Sequence, residues 1–206
     1  AVTGFVIDML EVAQLQGDNT RLKEQVNTAL NSESAATDIL QFISGSLKVK
    51  STNPSILAIT ASSRDPYESA DFYEGLLRFP NVNSQWLALT PALAKAITTN
   101  KCDDLNTLRH SEMGLYQREH IYPDRTQAEY LLCKNGTDAL VQLIKNSTGV
   151  MFNGGDQSLT RKVLFDENNQ PYPWTKALQS RPVVVGTSAG TAVQSGGQAH
   201  GGNVVM

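Results

Sequence analysis

The residues best suited to covalent chemistry lie near the carboxyl end of the sequence, where Val183-Val184-Val185 runs into Gly186-Thr187-Ser188-Ala189-Gly190. An apolar triplet followed by G-x-S-x-G matches the nucleophile elbow, a tight strand-to-helix turn that lifts a serine hydroxyl clear of a sheet. The turn needs small residues two positions either side of the serine, because larger side chains would strike neighbouring backbone, and Gly186 and Gly190 meet that need. Ser188 is therefore a candidate nucleophile. The following Thr191-Ala-Val-Gln-Ser195 can start a helix, so that N–H groups at its amino end face an oxyanion formed at Ser188; the N–H of Ala189 is the natural first donor. With three fixed positions in five, the pattern also fits a glycine-rich turn carrying an incidental serine.

A second candidate is Asn153-Gly154-Gly155-Asp156-Gln157, which follows the short apolar run Gly149-Val-Met-Phe152. Paired glycines at a strand's carboxyl end let backbone N–H groups face a ligand, so Gly155 could supply a second oxyanion donor. Asp156 and Gln157 would then stand at the mouth of the same crevice, where an acid and an amide could orient a charged peptide. The plain alternative is an ordinary Gly-Gly-Asp turn.

Both motifs need a sheet to hold them, and the periodicity supplies one. Ser55-Ile-Leu-Ala-Ile-Thr60, bounded by Pro54 and by Ser62-Ser63-Arg64-Asp65, reads as a buried parallel strand. Pro66 suits the first turn of a helix through Tyr67 to Arg78, with Phe72, Leu76 and Leu77 on its apolar face. Gln85 to Leu89 reads as another strand, Pro91 to Thr98 as a helix, and Pro182 to Val185 as the buried strand before the serine. Helices are also expected over Asp18 to Leu30, Ala36 to Leu47, Thr126 to Leu132, Asp138 to Lys145 and Ser158 to Phe165, with a short one running to Gln179. From Asn100 to Pro123 the periodicity fails, and residues 100–135 read as a polar insertion or long loop. Strands alternating with helices at this spacing signify βαβ units, hence a single α/β domain with a mainly parallel sheet.

The two motifs together support a recognition. Phe152-Asn-Gly-Gly-Asp-Gln157, followed by Gly186-Thr-Ser-Ala-Gly190, closely resembles the paired motifs of the cyanophycinase and aspartyl dipeptidase (peptidase E-like) family of serine peptidases. Ile56-Leu-Ala-Ile-Thr-Ala-Ser-Ser63, with Tyr67 and Phe72-Tyr73 beyond it, looks like that family's early segment, so the resemblance spans Ile56 to Val193. It implies a three-layer αβα sandwich similar to class I glutamine amidotransferases, and cleavage of amide bonds beside aspartyl residues. The substrates it implies are aspartyl dipeptides in one branch and the aspartate-arginine polymer cyanophycin in the other. By motif match Ser188 is the nucleophile, Gly155 and Ala189 are the oxyanion donors, and Gln157 with Asp156 contacts substrate. No cofactor is implied.

A serine hydroxyl needs a general base and the base needs an orienting acid. The resemblance puts the family's histidine about forty residues after the serine, whereas eighteen residues follow Ser188 in this sequence. His200 has the wrong spacing, and His110 and His120 sit in the polar excursion, where solvated or loop-anchoring roles suit them. The chain therefore reads as an incomplete piece, its site completed by a second chain or a missing carboxyl-terminal segment; pairing as a homodimer also stays open. A non-catalytic relative that binds a ligand or partner at the crevice, and an α/β-hydrolase-type esterase sharing the elbow, are the competing readings.

Composition narrows the rest. Seventeen basic against twenty acidic residues leave a net charge of -3, without the basic excess that nucleic-acid binding calls for. No stretch approaches the roughly 20 apolar residues that span a bilayer. Cys102 and Cys133 cannot make a four-ligand zinc site; they could remain free or close one stabilising disulfide over about thirty residues. Such a bond, together with the sequons Asn135-Gly-Thr137 and Asn146-Ser-Thr148, tilts towards a secreted or periplasmic protein rather than a cytoplasmic one.

Overall fold

The computed structural model describes residues 34–194, together with two-residue strands at 198–199 and 202–203. The expected helix over Asp18 to Leu30 lies outside the described residues. Four parallel strands form the central sheet: β1 (Ser55–Ile59), β2 (Asn83–Trp86), β3 (Gly149–Phe152) and β4 (Val183–Gly186), in the order β2-β1-β3-β4. Register pairs Ile56 with Ser84 and with Gly149, and Phe152 with Gly186.

Parallel neighbours need crossovers, and helices provide them. Helix α1 (Ser34–Lys50) precedes β1, and α2 (Pro66–Leu76) joins β1 to β2. Between β2 and β3 come α3 (Pro91–Thr99), a 3-10 turn at Cys102–Asp104, α4 (Leu105–Met113), α5 (Arg118–Ile121) and α6 (Pro123–Asn146). Helices α7 (Gln157–Leu164) and α8 (Pro173–Gln179) link β3 to β4, and α9 (Ala189–Ala192) follows β4. Strands β5 (Gln198–Ala199) and β6 (Gly202–Asn203) pair antiparallel apart from the main sheet.

Side chains alternate along a strand, so each face of the sheet carries its own core. Leu57, Ile59, Val150 and Phe152 pack with Leu93, Leu140, Ile144, Val163 and Trp174 from α3, α6, α7 and α8. On the other face Ile56, Ala58 and Met151 meet Ile43 and Leu47 of α1 and Leu77 at the end of α2. The result is the three-layer αβα arrangement that the resemblance implies, around the mainly parallel sheet that the alternating pattern implies.

The loops after β1, β2 and β3 each leave a strand and enter a capped helix. The Asp65 carboxylate accepts from Tyr67 N at 3.0 Å and starts α2, Thr90 Oγ1 accepts from Leu93 N at 3.0 Å and starts α3, and Asp156 does the same for α7 through Ser158 N at 2.8 Å. From β1 the chain turns to β2 on one side, whereas β3 and β4 lie on the other. The carboxyl ends of β1 and β3 thus flank a topological switch point, where open parallel sheets bind ligands.

The polar excursion is corrected: residues 100–135 are helical. Gly114 (φ 69°) and Gln117 (φ 54°) break the helices, and the faces turned inward carry charged side chains, which is why apolar periodicity was absent. Arg109 is buried and donates through Nε to Glu129 at 2.8 Å; Tyr67 Oη donates to the same carboxylate at 2.8 Å, and Thr90 Oγ1 also reaches it. Arg118 pairs with the buried Asp65. Complete burial pushes the Glu129 carboxyl up, with Arg109 and the two hydroxyls pulling the other way, and burial beside Glu129 raises the Tyr67 phenol well above its ordinary value. The two helices expected at Thr126 to Leu132 and Asp138 to Lys145 are the halves of α6, interrupted at Gly136 (φ 84°, ψ 176°).

Two strand expectations also shift. The apolar run Gln85 to Leu89 is strand only to Trp86; Leu87 and Leu89 are buried in the connection to α3, so their apolarity reports burial rather than pairing. The valines of β4 are half-buried, because among the described residues β4 pairs with β3 alone.

Cys102 and Cys133 are joined in a disulfide, their Cα atoms 5.7 Å apart, which ties the 3-10 turn to α6. Replacing both cysteines with serine is expected to lower unfolding free energy by about 3.7 kcal/mol, the loop-closure value for a sequence separation of 31. Urea denaturation of the oxidised wild type and the double variant measures it.

Candidate active site

Strand β4 ends at Gly186, and Thr187 extends the ladder by donating to Phe152 O at 3.2 Å. Ser188 then adopts φ 50°, ψ −116°, a combination natural to glycine and strained for a residue with a side chain. Helix α9 begins at once, with Thr191 N and Ala192 N donating to Ser188 O at 2.9 and 3.0 Å. This abrupt reversal leaves the Ser188 side chain exposed, while Ala189 and Gly190 behind it are buried. The backbone thus has the nucleophile-elbow form expected from the motif.

The elbow fits against the turn after β3. A β-carbon on Gly190 would lie 2.7 Å from Asn153 O and closer still to the Phe152 carbonyl, so only glycine allows α9 to sit over the end of β3. A β-carbon on Gly154 would lie 3.2 Å from Ser188 Cβ, which places the Gly-Gly turn beside the serine. Gly155 has φ 137°, and a β-carbon there would run into the Ser62 carbonyl. The loop after β1, residues 60–65, is the third wall of this junction.

Side chains lock the three loops together. Asn153 is buried; its Oδ1 accepts from Ser62 N at 3.1 Å and its Nδ2 donates to Ser63 Oγ at 2.6 Å. Asp156 N donates to Ser62 O at 2.8 Å, and Ser62 Oγ hydrogen-bonds Thr160 of α7. Gly154 N donates to Tyr73 Oη at 3.3 Å. The sequence assigns no role to Asn153, Ser62 or Tyr73; Asn153 lies within the Gly-Gly motif, and the signals for the other two are the polar cluster Ser62-Ser63-Arg64-Asp65 after a strand and the family-like segment that includes Tyr73.

Gly154 N, Asp156 N and Gly190 N are each bound to an acceptor, whereas Gln157 N and Ser188 N, among the described residues, are not. Among the described residues neither Gly155 N nor Ala189 N has a hydrogen-bond acceptor. Those are the N–H groups that the motif match singles out as oxyanion donors. Asp156 and Gln157 are exposed on the same rim. Asp156 already caps α7, and its hydrogen bonds from Ser158 hold its carboxyl below the ordinary aspartate value.

The two described histidines are elsewhere. His110 is exposed and stacks on Tyr116, ring centroids 4.3 Å apart, with its Nε2 bonded to the Tyr116 hydroxyl. His120 is exposed beside Glu119 at 3.8 Å, and His200 lies outside the described residues. Among the described residues no side chain is hydrogen-bonded to Ser188 Oγ, and no three His, Cys, Asp or Glu side chains converge to hold a metal ion. None of the described helices is long and apolar enough to cross a membrane. A groove of about 560 Å³ between α1 and residues 182–184 lies at the amino end of β4, away from the serine, and is lined by Phe42, Val49 and Pro182.

No family model matches the chain, and no curated protein or solved structure matches it either.

The strain at Ser188 makes a stability measurement informative. Ser188→Gly is expected to be about 1 kcal/mol more stable than Ser188→Ala, because glycine relieves the positive φ by more than its extra unfolded-state entropy costs. Thermal melts of the two variants compare them directly; an alanine variant of equal or higher stability would contradict the strained turn.

Proposed function

We propose that this protein is a cyanophycinase-like serine peptidase that hydrolyses amide bonds next to aspartyl residues through an acyl-enzyme on Ser188. The observation that carries the reading is the strained, exposed Ser188 beside the Gly154-Gly155 turn, with the N–H groups of Gly155 and Ala189 lacking an acceptor among the described residues. In the proposed reaction Ser188 Oγ attacks the substrate carbonyl and loses its proton to a base, giving a tetrahedral adduct. Gly155 N–H and Ala189 N–H donate to the developing oxyanion, and because sheet and helix fix them, little reorganisation is needed as charge appears. The adduct collapses, the amine leaves with a proton, and water then hydrolyses the acyl-serine.

The base and its orienting acid are assigned to polypeptide outside the described residues, either of this protein or of a second chain. Gln157, with the free edge of Asp156, is proposed to contact the substrate. The Cys102–Cys133 bond favours an oxidising compartment, hence a secreted or periplasmic enzyme.

A second reading, a non-catalytic relative that binds a ligand at the same crevice, is favoured by one observation: no described side chain activates Ser188 Oγ. Incubation of the complete protein with a serine-directed phosphonate or sulfonyl fluoride separates the two. The peptidase reading expects one label per chain at Ser188, hydrolysis of aspartyl amides in preference to simple esters, and a loss of about 10⁴-fold or more in kcat/KM for Ser188→Ala. Absence of label and of turnover would leave the binding reading. Faster cleavage of esters than of aspartyl amides would favour an esterase.

A further inference from the structure

We propose that Tyr73 is a positioning residue of the Ser188 site, its hydroxyl anchoring the Gly154-Gly155 turn and so fixing the Gly155 N–H; this rests on the peptidase reading above. The Tyr73 hydroxyl accepts from Gly154 N at 3.3 Å. That glycine is beside the serine, a β-carbon on it lying 3.2 Å from Ser188 Cβ.

Successive glycines have the widest choice of backbone conformation, so the peptide joining Gly154 to Gly155 is held only as firmly as its neighbours on either side. Its own N–H, that of Gly155, has no acceptor among the described residues. Downstream, Asp156 N donates to Ser62 O at 2.8 Å; upstream, Gly154 N donates to Tyr73 Oη. One residue earlier, Asn153 N donates to Ile59 O at 3.0 Å. Gly155 sits between these anchors at φ 137°. Without the phenol the upstream anchor retreats to Asn153, and the dihedrals of Gly154 are released.

Packing accounts for the Tyr73 ring and not for its hydroxyl. The ring is half-buried against the cluster that holds Ile56, Ala58, Leu77 and Met151, and it meets Phe72 edge-on with centroids 5.2 Å apart. Phenylalanine would fill the same space. What the oxygen adds, among the described residues, is the bond to Gly154 N, made across 81 residues from a helix whose start Asp65 caps. A donor held in place for a developing oxyanion acts on the transition state more than on substrate binding, so loosening it lowers kcat with little change in KM.

The test compares the complete wild-type protein with Tyr73→Phe in two measurements. Steady-state kinetics on an aspartyl amide are expected to show kcat lower by about 10-fold with KM within about 2-fold, a split that lost packing alone would not give. Nitrogen-15 relaxation is expected to give Gly155 an order parameter of about 0.85 in wild type and below about 0.6 in the variant. In an active wild type, an unchanged kcat or a loss carried by KM would overturn the assignment. An unchanged Gly155 order parameter overturns it with or without activity. Phosphonate labelling of Ser188 in wild type reports the peptidase reading separately. If wild type neither labels nor turns over, that reading fails, and the order parameter alone decides whether Tyr73 anchors the turn: a fall in the variant upholds it, and no fall removes it.

Discussion

Three stretches of backbone meet at the carboxyl edge of this sheet at separations that exclude a β-carbon. Gly190 lies against the carbonyls of Phe152 and Asn153 and Gly155 against that of Ser62, while Gly154 packs more loosely, a β-carbon there lying 3.2 Å from Ser188 Cβ. Interiors are close-packed and transmit such displacements, so a methyl group at Gly155 or Gly190 would push apart the loops after β1, β3 and β4 together. The glycines permit the approach; Asn153 holds it, with hydrogen bonds from its backbone to Ile59 and from its side chain to Ser62 and Ser63.

The consequence of this approach is an unequal sharing of backbone donors. Most N–H groups around the junction find acceptors within the fold, as Gly154 does at Tyr73 and Asp156 at Ser62. Among the described residues those of Gly155 and Ala189 do not, nor do those of Gln157 and Ser188, all in the loops after β3 and β4 or at the first residue of the helix that follows. Donors fixed in place before any charge develops are worth more than donors that must reorganise, which links the packing of the glycines to the proposed chemistry. The strain at Ser188 fits the same picture, since the sheet and helix on either side determine its dihedrals.

The parts of this arrangement that were legible in the sequence are those with local causes. Gly186 and Gly190 around Ser188, the Gly154-Gly155 pair, and the prolines at the starts of α2, α3 and α8 each act within a few residues of themselves. The excursion between β2 and β3 was not legible, because its buried contacts are made by Arg109, Arg118 and Glu129, residue types that composition assigns to the surface. Their burial depends on partners such as Tyr67, at 42 residues from Arg109 in sequence, and Asp65. Leu87 and Leu89 misled in the opposite sense, being apolar and buried without being strand. The walls of the site away from the motifs, Ser62 and Tyr73, are likewise set by contacts to Asn153 and Gly154 across 91 and 81 residues, which no short pattern encodes.

The central claim is that Gly155 N–H and Ala189 N–H form one oxyanion site with Ser188. A crystal structure of the complete protein reacted with a serine-directed phosphonate tests it most directly. The account predicts phosphorus bonded to Ser188 Oγ, with one phosphonyl oxygen within hydrogen-bond distance, about 2.7 to 3.1 Å, of both nitrogens. A phosphonyl oxygen directed to solvent or to other donors, with Gly155 N and Ala189 N still without an acceptor, would contradict it.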